Sequence, residues 1–427
     1  MFKVASFFVL YLFFVYCSSS TAYPANVIRD SEVETIVKEL AQPLFSASGI
    51  DVDLIKVFVI SDNSVNAFVI NNNIFIHLGL LQYSTEPYIL LGILAHEIAH
   101  ISASHILHIN RIVNYFQSIT MISYIAGLIS TIINDLKFAS VILFGSVSIS
   151  SKLFFDHSQN QEKVADSYAL KYLDESGYDN LGMKEIFKYF KSIEQKNSEI
   201  HFRTHPPSDK RILAVQNYKI KNNIKPIFAD KLLKFKRIIT KLDSLFSPMY
   251  ILSDKYQNNS EYVNAIIYCR QGKMKEAINI IDSLIQKSPN NPYLYEVMAK
   301  MLYKTGNLNK AIKMYEKSLR YLSEKDSYLI KLTLSHTLLL HGDLKKAIFY
   351  LEQIANIEQN NILVWKYLSI AYKCSGDIAM HFFALTKKAF IENNLKQFTK
   401  YAELAVKALP KDSPYSLQIE DMRHRNT

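Results

Sequence analysis

Three rhythms of apolar and polar positions run along this chain, and each predicts a different kind of element. Residues 30–48 repeat apolar positions at helical spacing and predict a first helix. "LIKVFVI" (54–60) and "NAFVINNNIFIHLGLL" (Asn66 to Leu81) are rich in β-branched and aromatic residues and lie among asparagine-rich turns, so both read as strands. Helical spacing returns in "PYILLGILAHEIAHISASHILHINRIVNYFQ", which predicts one long helix from Pro87 to Gln117. "SQNQEKVADSYALKYLDESG" is a second strongly helical segment, and Gly177 stops it. Between the two lies an apolar region, Ile119 to Ser150, in which "NDLK" separates a run of fifteen residues from a run of thirteen. A spanning helix needs about twenty residues. Buried or membrane-surface helices are therefore favoured here, with a transmembrane hairpin as the alternative.

The third rhythm is a repeat that begins near residue 260. Gly272 and Gly306 stand thirty-four residues apart, and so do Gly342 and Gly376. The step between Gly306 and Gly342 is thirty-six, which implies a two-residue insertion. Ala277, Ala311 and Ala347 keep one offset from their glycines, while Tyr295 and Trp365 share another. Pro289 closes the first unit. This is the tetratricopeptide period. The glycines are expected to allow close helix approach, and the alanines to let the two helices of a unit pack. "NNLKQFTKYAELAVKALPKDSP" is a degenerate last unit that caps the stack. Such stacks present a concave surface to peptide or protein. The fold class that follows is mainly α with a small β-sheet, a globular domain followed by an α-solenoid.

Composition changes the picture only in places. Gly and Pro number eleven each in 427 residues, which argues against an all-β or loop-rich chain. The net charge is +10, but the basic residues are scattered without a block of like charge, so nucleic acid is not an expected partner. At the N-terminus Lys3 precedes the apolar stretch "VASFFVLYLFFVYC" and then "SSSTAYP". That is a secretory signal pattern, with Ser20 and Ala22 suited to cleavage after Ala22. An uncleaved anchor is the alternative. Once residues 1–22 are removed, only Cys269 and Cys374 remain, about three repeats apart, and they are expected to be free, buried thiols. The expected division is a signal peptide at 1–22, a catalytic domain at 23–245 and a repeat domain at 246–427.

The chemistry sits in "HEIAH". His96 and His100 are i and i+4 on one helix face, where two imidazoles can hold one zinc ion. Zinc lowers the pKa of water, and Glu97 beside it can take the proton. A third ligand is needed. The arrangement HExxHxxGxxH is refused, because Ile106 and Ala103 stand where its His and Gly would be. "QEKVAD" supplies the alternative: Glu162 completes a His₂Glu set, and Asp166, one turn on, orients a ligand histidine. His105, His108 and His157 are expected to pack or to face solvent. His205, in "RTHPPSDKRI", can reach the metal from a stiff loop, either donating to the oxyanion or capping the open position.

"HEIAH", "QEKVAD" and "RTHPPSDKRI", with "NAFVINNNIFIHLGLL" upstream, resemble the family-48 gluzincin metallopeptidases. The combination with an export signal and tetratricopeptide repeats is most similar to the periplasmic members that serve outer-membrane β-barrel assembly. The resemblance implies one Zn²⁺ per chain on His96, His100 and Glu162, with Glu97 as general base. Asp166 would stand behind the ligands, and His205 near the metal. It also implies an edge strand within 66–76, with Asn66, Ala67 and Phe68 binding substrate by strand addition. "NNN" stands where the family usually has glycine in that strand's turn. The implied partners are unfolded or misassembled proteins, outer-membrane β-barrels among them. Assembly machinery would dock on the repeats, and the membrane surface would be touched through 119–150. The implied location is the periplasm. Two other functions compete: an integral inner-membrane quality-control protease of the HtpX type, and a repeat adaptor that holds clients with little proteolysis.

Overall fold

The structure is a computed structural model that describes residues 27–70, 73–103, 150–196, 209–256 and 260–425. The described residues form two compact units, divided between 257 and 258.

The first unit is built on a four-stranded sheet of order β1-β2-β4-β3. Its strands are β1 (Val27–Ile28), β2 (Lys56–Ile60), β3 (Ala67–Ile70) and β4 (Asn73–His77). β1 runs antiparallel to β2, β2 parallel to β4, and β4 antiparallel to β3, which leaves β3 at the edge. Val57, Val59, Ile74, Ile76 and Ala67 face the core, while the alternate residues face the other way. The strand expected to run to Leu81 stops at His77, and Leu78–Tyr83 forms helix α2 instead. Leu78, Leu80 and Leu81 are all buried, so the apolar run that imitated a strand is a short helix sunk in the core.

Helix α1 (Ser31–Ser48) starts under Asp30, whose side chain accepts from the Val33 amide, and ends at Gly49 with φ 72°. Helix α3 (Pro87–Ser102) is buried on all sides from Ile89 to His100. Its depth is set partly by two glycines at the contact with α5 (Leu181–Lys196). A Cβ on Gly92 would lie 2.5 Å from the Met183 amide nitrogen, and one on Gly182 would lie 1.8 Å from the Tyr88 carbonyl oxygen. α3 ends at Ser102, with Ala103 as its cap, short of the long helix expected. The rest of that expectation lies outside the described residues, as do His105, His108 and residues 119–149. Helix α4 (Ser150–Ser176) crosses α3, and Gly177, at φ 76°, ends it as expected. Helices α6 (Asp209–Asn217), α7 (Ala229–Phe246) and α8 (Met249–Tyr256) complete the unit. Among the described residues no helix is long and apolar enough to cross a membrane.

The described residues of the second unit form ten helices: α9 (Glu261–Arg270), α10 (Met274–Lys287), α11 (Pro292–Lys304), α12 (Leu308–Leu319), α13 (Tyr328–His341), α14 (Leu344–Ile357), α15 (Ile362–Ser375), α16 (Ile378–Ile391), α17 (Leu395–Ala408) and α18 (Pro414–Arg425). Ala277, Ala311 and Ala347 are fully buried between the helices of their pairs, as expected. The glycines act differently from the expectation. Gly272, Gly306, Gly342 and Gly376 all have φ between 76° and 93°, and an added Cβ would meet nothing within 4 Å at any of them. They are required for the left-handed turn rather than for close approach. Asn393, at φ 51°, takes the same role between α16 and α17.

Tyr295 and Trp365 are equivalent in bonding as well as in position. The Tyr295 hydroxyl donates to the Pro289 carbonyl at 2.9 Å, and the Trp365 indole to the Gln359 carbonyl at 2.7 Å. The two-residue insertion falls in the connection 320–327, where the equivalent connections are 288–291 and 358–361. Cys269 and Cys374 are free, but Cys269 is half-buried and Cys374 exposed, not both buried. Cys374 lies off the buried stripe of α15 formed by Leu368, Ala371 and Tyr372.

Candidate metal centre

Two helix faces and one further side chain build the site. On α3 the i, i+4 spacing puts His96 and His100 on one face, with their rings 4.7 Å apart and nearly perpendicular. On α4 the same spacing presents Glu162 and Asp166 towards α3. The two imidazole Nε2 atoms stand 3.1 Å apart. Glu162 reaches both, with Oε2 3.3 Å from His96 Nε2 and Oε1 3.3 Å from His100 Nε2. Asp166 Oδ1 lies behind the pair, 3.0 Å from His96 Nδ1. An Nδ1–H directed at that carboxylate leaves the Nε2 lone pair of His96 aimed at Glu162 and His100.

Arg211, from α6, meets both carboxylates. Its Nε and Nη2 donate to the two Asp166 oxygens at 2.6 and 2.9 Å, and Nη2 also stands 3.0 Å from Glu162 Oε2. The Phe187 ring lies 5.0 Å beneath the guanidinium. Burial works against charge on Asp166. The Arg211 hydrogen bonds, and then His96, prevail and hold its carboxyl below the ordinary aspartate range. Burial also opposes a charge on His96, but the hydrogen bonds to Asp166 and Glu162 outweigh it and lift the metal-free imidazole to about 10.

The donor set fits a divalent metal on two counts. Ligand atoms about 2.0–2.1 Å from a common tetrahedral zinc lie roughly 3.3 Å from one another. The ligand atoms of His96, His100 and Glu162 all lie within 4.8 Å of one another, with closest separations of 3.1–3.3 Å. Charge gives the second count. Glu97, Glu162 and Asp166 are buried carboxylates, and Arg211 is the one buried guanidinium facing them among the described residues. With neutral imidazoles that sum is −2, which a divalent cation cancels.

Of the site residues expected from sequence, His96, His100, Glu162 and Asp166 come together, and Glu97 is buried in the same turn of α3. Ala67 and Phe68 lie on edge strand β3. Asn66 precedes it, and its carbonyl accepts from the His77 amide at 3.0 Å. His205 and the side chain of His157 lie outside the described residues. Arg211 is not among the residues that the sequence points to. Its signal was the need of two buried carboxylates for a counter-ion, which spacing along the chain does not supply.

A HExxH helix whose two imidazoles converge with a carboxylate from a second helix defines the class of this unit: it is a metallopeptidase domain. Residues 28–219 match the model of Peptidase family M48. Residues 260–366 match a domain of unknown function, DUF7017. The chain is 21% identical over 266 residues to the beta-barrel assembly-enhancing protease of Yersinia pestis, covering 56% of this chain and 52% of that protein. It is 20% identical over 304 residues to the protein of that name in Escherichia coli K12, covering 67% of this chain and 62% of the relative. The chain thus spans about half to three-fifths of the length of the curated relatives it matches. Among solved structures, MamA is similar over 38% of this chain and 96% of its own, at 18% identity and a TM-score of 0.29.

Proposed function

We propose that this chain is an exported zinc endopeptidase that hydrolyses unfolded or misassembled proteins. In this reading residues 1–22 are a signal peptide, 23–245 the peptidase domain and 246–427 the repeat domain, and the enzyme works in the periplasm. One zinc ion per chain is held by His96, His100 and Glu162. The observation that carries the reading is the convergence of these three side chains in a buried site of net negative charge.

Zinc bound there supplies Lewis-acid polarisation of the scissile carbonyl and acidifies water. The protein's residues do the rest. Glu97 takes a proton from the water whose oxygen attacks the carbonyl carbon, and passes it to the amide nitrogen as the C–N bond breaks. Asp166 holds the His96 ring by its Nδ1–H. Arg211 holds Asp166 and Glu162, so the ligand carboxylate cannot swing away. His205 approaches from its loop and either stabilises the oxyanion or closes the site at rest. Substrate adds as a strand to β3 at Asn66, Ala67 and Phe68, through main-chain hydrogen bonds that demand little sequence. The repeats dock clients or assembly machinery. Outer-membrane β-barrels are the proposed clients, a choice supported by the name of the relatives, beta-barrel assembly-enhancing proteases.

The test is metal content and casein cleavage for the purified mature chain beside Glu97→Gln. About one zinc per chain is expected in both proteins, with hydrolysis lowered at least ~10³-fold in the variant. Equal cleavage by the two proteins, or a wild-type chain that binds no metal, would sink the assignment.

A further inference from the structure

The side of the sheet that faces away from the core carries an ordered stack of aromatic rings. Phe58 of β2, Phe75 of β4 and Phe68 of β3 sit side by side in register, Phe58↔Phe75 and Phe75↔Phe68. Their centroids are 5.1 Å apart at each step, with interplanar angles of 18° and 13°. That step is close to the spacing between neighbouring strands, about 4.8 Å, so the stack is the strand ladder copied in side chains. One end is capped: the Arg29 guanidinium lies 4.7 Å over Phe58. The other end is the edge of the sheet. Phe68 is half-buried, one of its faces lies on Phe75, and His77 meets it edge-on. Among the described residues no ring lies on its outward face.

We propose that Phe68 is a specificity-determining residue, which favours an aromatic side chain at the substrate position that comes abreast of it. The inference rests on the reading that substrate adds as a strand to β3. In such a strand, parallel or antiparallel, one side chain lies beside Phe68 on the outer face, about 5 Å away. An aromatic ring there becomes the fourth rung of the stack. A leucine of similar bulk buries area but forms no ring pair. Offset aromatic pairs add a further gain beyond buried area, equivalent to about two- to twelvefold in affinity. The clients selected are therefore extended chains that carry aromatic residues on one face. Main-chain pairing supplies the general affinity and the outer face the preference.

The experiment measures binding of fluorescent ten-residue peptides to the full-length Glu97→Gln chain, so that no peptide is consumed. Peptides differ only in a central Phe or Leu, and a third version of each is N-methylated on alternate amides. The Phe peptide is expected to bind about two- to twelvefold tighter than the Leu peptide. In the Phe68→Leu background that ratio falls to about one, and in Phe68→Tyr it returns. Equal affinity of the Phe and Leu peptides overturns the proposal while strand addition stands. So does a preference that survives Phe68→Leu. If N-methylation leaves binding unchanged, or if no peptide binds, strand addition itself fails and the proposal fails with it.

Discussion

The two units of this protein differ in how far along the chain their partners lie. The repeat unit is local: its two apolar clusters are built from helices adjacent in the chain, and each alanine or glycine acts within its own pair. The peptidase unit gathers charge from afar. His96, Glu162 and Arg211 meet across more than a hundred residues of chain, all buried. A repeat tolerates insertion because its contacts are with its neighbours. The metal centre depends on several helices holding their places at once. The contrast teaches where damage should spread and where it should stay.

Metal removal is the strongest way to break the comparison. Chelation should abolish hydrolysis and raise amide exchange in α3, α4 and α6, with exchange in α11–α16 unchanged. Equal loosening of both units would show that the contrast is false. Arg211→Met comes next. It leaves Asp166 and Glu162 buried without their guanidinium, so a loss of about 3–5 kcal/mol in stability is expected. Zinc affinity should fall by about 10–100-fold in a competition assay. Arg211→Lys should recover only part of that, because an ammonium cannot make the bidentate contact with Asp166.

Ala311→Leu tests the other unit. Overpacking a fully buried site should cost about 1–3 kcal/mol, seen as lost protection in α11 and α12. Zinc content and casein cleavage should not change.

Asp174 offers the smallest effect. Burial alone would raise its carboxyl, but the amides of Asn222 and Lys221, with Tyr218, hold it low. A group depressed in the folded state contributes stability that is present above about pH 3.9 and is lost as pH falls through the folded value. Asp174→Asn should therefore lower the melting temperature by a few degrees at neutral pH and flatten its decline in acid. A variant with an unchanged acid limb would remove Asp174 from that account.

Much of both units was legible in the chain. The thirty-four-residue period placed the helix pairs, and the i, i+4 pairs in "HEIAH" and "QEKVAD" placed four side chains on two helix faces. Errors came where local pattern met tertiary context. Leu78–Leu81 reads as strand because its apolar run is continuous, yet these buried residues form the first part of a short helix that runs on to Tyr83. The repeat glycines read as packing positions, yet open space surrounds them and backbone sign is what they serve. Cys374 falls one step off a buried stripe, a rotation of about 100° that composition cannot express.

Sequence alone determined the kinds of element, the repeat and the donor types that a metal requires. Each depends on spacing within a few turns of chain, where covalent geometry sets which side chains share a face. Tertiary structure decided the rest. It brought Arg211 to the two carboxylates, left β3 at the sheet's edge and stacked Phe58, Phe75 and Phe68 towards that edge. Counter-ions and edges belong to elements that meet far apart in the chain. Their positions follow from how buried surfaces and charges are satisfied together, not from any local period.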